Sequence, residues 1–181
     1  MLPLNTVLYH GTIDTLSHID VTKGRDRKDF GKGFYLAVSK SQAIGMMHKK
    51  FREQTVRNRN HNISFSEHLY EVHLNEDFLK TLNVKVFEHA DEEWIDFILL
   101  NREKGGVQHS YDLVIGPSAD DNTILCLRTY WDGYYGKVGS EEAKEVLLRN
   151  LEVENLGIQY FIGKQEIADK LILSINEISW S

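Results

Sequence analysis

Residues 29–37 read DFGKGFYLA. Two glycines, Gly31 and Gly33, flank Lys32, and an apolar run opens at once on the pair Phe34 and Tyr35. A glycine turn handing over directly to a short, aromatic-rich run predicts a loop that ends in a buried strand, here Phe34 to Val38. Upstream, HIDVTKGRDRKDFGKG (residues 18–33) is polar, charged and glycine-punctuated, a long loop. Before it, TVLYH (residues 6–10) predicts a short buried strand that ends on His10, with Gly11 and Thr12 turning away. Downstream, Ser39 with Gln42 three residues on forms a capping box. Ala43, Met46, Met47 and Phe51 then recur at helical spacing, which predicts a helix from about 40 to the mid-fifties.

The rest of the chain alternates without a steady period. LYEVHL (69–74) alternates as a strand does, NEDFLK (75–80) is a helical turn, and Lys85 to Phe87 falls in another short strand. ADEEWIDFILLNRE (90–103) carries acids in its first turn and Arg102 in its last, complementing a helix dipole, with Trp94, Phe97 and Ile98 facing a core. YDLVIGP (111–117) is a strand stopped by Gly116 and Pro117. SADDNTILCLRTYW (118–131) offers Asp120 or Asp121 as the cap of the next helix, and Ser140 opens another, SEEAKEVLLRN. LGIQYFIG (156–163) is a strand, and KQEIADKLIL (164–173) returns to helix. Irregular interleaving of this kind predicts a single α+β domain over residues 1–181, with a mixed or antiparallel sheet and flanking helices.

Bulk properties set the surroundings. The 181 residues suffice for one sizeable core, and 41% hydrophobic with 27% charged residues is ordinary for a globular domain. A net charge of −6 argues against a chain that coats nucleic acid. No run approaches the length of a membrane span, MLPLNTVLYHGT lacks the basic start of a secretory signal, and one cysteine, Cys126, forms no internal disulfide. These features predict a cytoplasmic protein.

Several chemistries find no foothold. None of the eight histidines forms His-Glu-x-x-His, no cysteine pair supports zinc, and no metal site is expected. GKG lacks the spacing of a Walker loop, and a Gly-x-Ser-x-Gly elbow is absent. What remains is distributed: YHGT at the end of the first strand, DFGKGFYLA at the second, EWIDF, YDLVIGPSADD, and IQYF in a late strand. In this order they resemble the ADP-ribosyltransferase superfamily, in which a histidine, a tyrosine and a glutamate on core strands form a His-Tyr-Glu set. The closest resemblance is to a group of small bacterial domains related to that superfamily.

The resemblance implies a split mixed sheet and NAD as substrate, with ADP-ribose passed to an acceptor that the sequence does not name. His10 would hold a ribose hydroxyl and Gly11 the nicotinamide amide, with Thr12 completing the motif. Tyr35 would stack on the cationic nicotinamide ring. Gly31 and Gly33 would let the loop pass close to the ligand while Lys32 meets the phosphates; the plainer reading is a glycine turn before a buried aromatic strand. Any of the bases in the loop before it, Lys23, Arg25, Arg27 and Lys28, could meet the pyrophosphate, with Arg27 singled out as a candidate; a solvated mixed-charge loop is the plainer reading. At the position of the glutamate stands Gln159, which hydrogen-bonds but brings no charge to a developing oxocarbenium ion. Either catalysis is weak, or another acid, with Asp120 first and Asp121 beside it, fills the gap, or the domain only binds NAD.

Small bacterial relatives of this kind are commonly toxins or effectors, so the resemblance also implies an antitoxin or other partner protein. A catalytically inactive NAD- or nucleotide-binding module is the second reading. A third is an interaction domain working through HKKFREQTVRNRN (48–60), where Lys49, Lys50, Arg52, Arg57 and Arg59 concentrate; a solvated helix face is the default there. Asp96, inside the apolar WIDFILL, must face solvent or pair with a base.

Overall fold

A computed structural model of the chain describes residues 4–61, 63–119, 121–151 and 156–180. Its strands are β1 (Val7–Thr12), β2 (Phe34–Ala37), β3 (His68–Leu74), β4 (Val84–Val86), β5 (Leu113–Pro117), β6 (Ile158–Ile162) and β7 (Ile172–Glu177). Its α-helices are α1 (Lys40–Arg57), α2 (Glu76–Leu79), α3 (Glu92–Lys104), α4 (Asp121–Trp131), α5 (Glu141–Asn150) and α6 (Gln165–Leu171). The strands form one mixed sheet in the order β4-β5-β6-β2-β1-β3-β7. β4 and β5 are parallel, joined through α3 as a crossover, and the other neighbouring pairs run antiparallel. The fold is α+β.

Local chemistry accounts for the element ends. The Ser39 hydroxyl accepts from the Gln42 amide at the start of α1, and the Asp91 carboxylate accepts from Trp94 at 3.0 Å at the start of α3. Gly105, at φ 74°, ends α3 in a conformation that side chains rarely adopt. The Trp94 indole then donates to the Pro117 carbonyl at 3.1 Å, tying α3 to β5.

Two expectations are corrected. β1 does not stop at His10: Gly11 and Thr12 continue it, paired with Leu69 and His68 of β3. The helix near the C-terminus ends at Leu171, and Ile172–Glu177 turns into β7, held by its ladder to β3 at the sheet edge. Ile172 and Ile175 are β-branched and pack against the core, which favours an extended backbone there over further helix.

Each face of the sheet carries its own core. On one face Leu8, Leu36, Tyr160 and Ile162 pack with Leu79 of α2 and Leu171 of α6. On the other, Phe161 and Val114 meet Trp94, Ile98, Leu127 and Leu147 of α3, α4 and α5, while Ala43 and Met47 of α1 cover Ala37 and Leu69. Among the described residues no helix is long and apolar enough to cross a membrane.

The decisive feature lies between β1 and β2. They meet at a single residue pair, Tyr9 opposite Ala37, whereas β1 pairs with β3 over six positions and β2 with β6 over four. Past that pair the two strands part, and the sheet is split.

Candidate functional site

His10 occupies the split. Its Nδ1 lies 2.7 Å from the Tyr35 carbonyl, so a side chain takes up the acceptor that a ladder bond from β1 would otherwise fill. A carbonyl only accepts, so Nδ1 carries the proton and Nε2 keeps its lone pair. The ring stacks on Phe34 with centroids 4.4 Å apart. Burial, and then the nearby Lys50 ammonium, push the His10 pKa down to about 3, against a smaller opposing effect of the Tyr35 carbonyl. The imidazole is therefore neutral at neutral pH, a fixed donor on one side and an acceptor on the other.

Gly11 has a packing reason as well as a position. A Cβ there would lie 2.0 Å from the Ala43 carbonyl oxygen and 2.8 Å from the Met47 Cβ, so only glycine lets α1 cross β1 this closely. Its carbonyl accepts from the Lys50 ammonium at 2.9 Å. Thr12 is buried, and its hydroxyl serves the turn after β1 through the Asp14 amide at 3.2 Å.

Tyr35 belongs to the opposite face. Tyr9 and Ala37 stand opposite each other, so Tyr35, two residues back, shares their face while His10 projects to the other. The Tyr35 ring packs between Phe30 and Phe161, and its hydroxyl donates to the Gly31 carbonyl at 2.7 Å and accepts from the Phe30 amide at 3.1 Å. Burial and then the Asp29 carboxylate raise its pKa well above the ordinary phenol value. The sheet thus separates the His10 ring from the Tyr35 ring, and the bond from Nδ1 to the Tyr35 carbonyl links them.

The glycine loop is pinned from several sides. Gly31 sits at φ 108°, where a Cβ would strike the Gly106 carbonyl, and Gly33 is pressed against the Ile162 carbonyl and the Phe161 ring. The Lys32 amide donates to the Gly106 carbonyl at 2.7 Å and its side chain is exposed. Packing against the loop after α3 for Gly31, and against β6 for Gly33, therefore explains both glycines without a ligand. Arg27 is also committed: at φ 55° it folds back so that its guanidinium donates to the Arg102 and Glu103 carbonyls at the end of α3.

Behind Tyr35 lies a charged network that the sequence did not reveal. Asp29 is only 5% exposed. Its Oδ1 accepts from Arg102 Nε at 2.8 Å and Nη2 at 2.5 Å. Its Oδ2 accepts from the Ala119 amide at 3.1 Å and from Gln159 Nε2 at 3.0 Å. Gln159, opposite Ala37 on the Tyr35 face, also approaches the Pro117 carbonyl at 3.4 Å with the same nitrogen. A buried acid does stand beside Gln159, but four donors saturate it. Asp120 and the side chain of Asp121 lie outside the described residues. Asp96 faces solvent and pairs with Lys144 at 3.0 Å.

The sequence groups Lys50 with a solvated basic face, yet it continues the buried stripe of Ala43 and Met47, three residues beyond the latter. That spacing was the available signal. For Asp29 and Arg102 the chain offered none, since they meet across 73 residues.

Residues 6–173 match the model of a family described as "Protein of unknown function (DUF3990)". The match spans most of the chain, and the chain belongs to that family. No curated protein matches it.

Proposed function

We propose that this DUF3990 chain is an ADP-ribosyltransferase-like domain that takes NAD at the split between β1 and β2. The observation that carries the reading is His10. A neutral imidazole, its Nδ1 tied to the Tyr35 carbonyl at 2.7 Å, keeps Nε2 as an acceptor for a ribose hydroxyl.

In the transfer reaction the bond between ribose C1′ and the nicotinamide nitrogen breaks, nicotinamide leaves, and an acceptor atom bonds to C1′. His10 binds and orients the sugar in this reading, and the Asp29–Arg102 pair with Tyr35 keeps the glycine loop seated beside it. Gln159 is the point of weakness. Its amide nitrogen is spent on Asp29, and neither residue presents a free carboxylate to the developing positive charge. That observation favours a second reading, a non-catalytic NAD-binding module that acts through a partner such as an antitoxin.

Calorimetric titration with NAD, wild type beside His10→Ala, tests binding. Saturable binding by the wild type and a loss of tenfold or more in the variant supports the reading. No wild-type binding overturns it. Nicotinamide release by the NAD-saturated protein then separates transferase from binding module.

A further inference from the structure

The chain places a cation where it has little company of opposite sign. Lys50 is half-buried on the core stripe of α1, and one of its three ammonium donors goes to the Gly11 carbonyl at 2.9 Å. Among the described residues no carboxylate lies within ion-pair distance of it. The acid that acts on it is Asp14, which is engaged by Thr12, and that attraction is the smallest of the influences. Other cations surround it instead. Arg25 reaches Glu53, one helical turn beyond Lys50, at 3.8 Å, and half-buried Lys28 lies three residues along the same loop. Burial first, then Lys28 and Arg25, bring the Lys50 pKa down to about 8, and Lys28 is itself lowered by burial and by Arg102 and Arg25, against the pull of Asp29.

A half-buried ammonium among like charges is unfavourable in the protein alone, and an anion delivered there removes that cost. The carbonyl that holds Lys50 belongs to Gly11, the residue after His10 in β1, so the ammonium stands at the same stretch of the split, and its charge acts on the His10 ring after burial. Neither Lys32 nor Arg27, the cations of the glycine loop, has this placement: one is exposed and the other is bound to the end of α3.

We propose that Lys50, with Lys28 and Arg25 about it, forms an anion site at the strand split that takes a phosphate group of the ligand. The site deepens the NAD reading by naming the ligand group that Lys50 holds, but the chemistry it needs is phosphate alone. Two sources fit: the pyrophosphate of a dinucleotide, or a phosphate carried on the ribose that His10 holds.

The test is calorimetric titration with inorganic pyrophosphate at low salt, on wild type, Lys50→Met and Lys50→Arg. Methionine keeps the packing stem and removes the buried charge, so this variant should melt no lower than the wild type. Wild-type binding that weakens tenfold or more in Lys50→Met, returns in Lys50→Arg, and weakens between pH 7 and pH 9 supports the proposal. Over that range Lys50, with its pKa of about 8, loses its proton while His10 stays neutral; Lys28, also lowered by burial, is controlled by Lys28→Met, and the facing Arg25 and Asp14 by Arg25→Gln and Asp14→Asn. Equal binding by wild type and Lys50→Met, or none by the wild type, overturns it. Adenosine, AMP, NAD and NADP then separate the sources: a gain from adenosine to NAD that needs Lys50 indicates the pyrophosphate, and a further gain at NADP the ribose phosphate. Pyrophosphate binding through Lys50 without NAD binding leaves this site standing and overturns the NAD reading. NAD binding indifferent to Lys50 does the reverse.

Discussion

Under the transferase reading Gln159→Glu is the obvious way to supply a catalytic acid, and the structure predicts that it fails. The Gln159 amide nitrogen lies 3.0 Å from Asp29 Oδ2 and 3.4 Å from the Pro117 carbonyl, in a site only 7% exposed. An ionised carboxylate in place of that amide would set oxygen against oxygen at both contacts. At about 3 Å and an effective dielectric of about 20, two unit charges repel by about 5 kcal/mol, an amount that the Arg102 guanidinium reduces in part. The cheaper course is to keep the new carboxyl protonated. With an ordinary glutamate pKa of about 4.3 and about 1.4 kcal/mol per pH unit, holding the proton at about pH 7 costs about 3–4 kcal/mol. For a chain of this length that lowers the melting temperature by on the order of 10 °C. The folded-state pKa is raised above the unfolded one, so the penalty is absent below about pH 4 and grows as pH rises. At about pH 5 it has shrunk to about 1 kcal/mol. Urea unfolding of wild type and Gln159→Glu at pH 5 and pH 7 reads both values. A variant as stable as wild type at pH 7, or a deficit equal at the two pH values, would show that the amide does not donate to Asp29.

Three further outcomes rest on single contacts. His10 is held neutral with a folded pKa of about 3, below its unfolded value, so on acidification the unfolded chain takes up a proton that the folded one refuses. The wild type should therefore lose about 2 kcal/mol between about pH 7 and about pH 5 that His10→Gln does not lose, measured by urea unfolding. Gly11→Ala should cost at least about 2 kcal/mol, because α1 must move off β1 to admit the methyl group; an unchanged melting temperature would refute the packing. Tyr35→Phe leaves the Phe30 amide and the Gly31 carbonyl without their partner and should cost about 1–3 kcal/mol, with amide exchange rising first in residues 29–33.

Legibility in the sequence followed the range of the interactions. The cap at Ser39, the stop at Gly116 and Pro117 and the acids opening α3 act within a few residues, and the elements they bound are where the sequence placed them. β7 escaped notice because its apolar residues continue α6 without a break, and what makes them a strand is the edge that β3 offers. Gly11 looked like a turn because the reason for its small size, α1 passing over it, lies about thirty residues away in Ala43 and Met47. The site divided in the same manner. His10, Tyr35 and Gln159 stood in recognisable motifs. Whether their side chains share a face depends on one pairing, Tyr9 with Ala37, that no local pattern encodes. Asp29 and Arg102, whose charges cancel in the fold, looked like solvated residues of a mixed loop and a helix end.

The most direct test of the central claim is the nitrogen NMR spectrum of the His10 ring, assigned with His10→Gln, recorded with and without NAD. The account predicts a neutral ring protonated on Nδ1 from pH 5 to pH 8, with NAD shifting the Nε2 resonance toward that of a hydrogen-bonded acceptor. A ring protonated on Nε2, or an Nε2 resonance unmoved by saturating NAD, would contradict it.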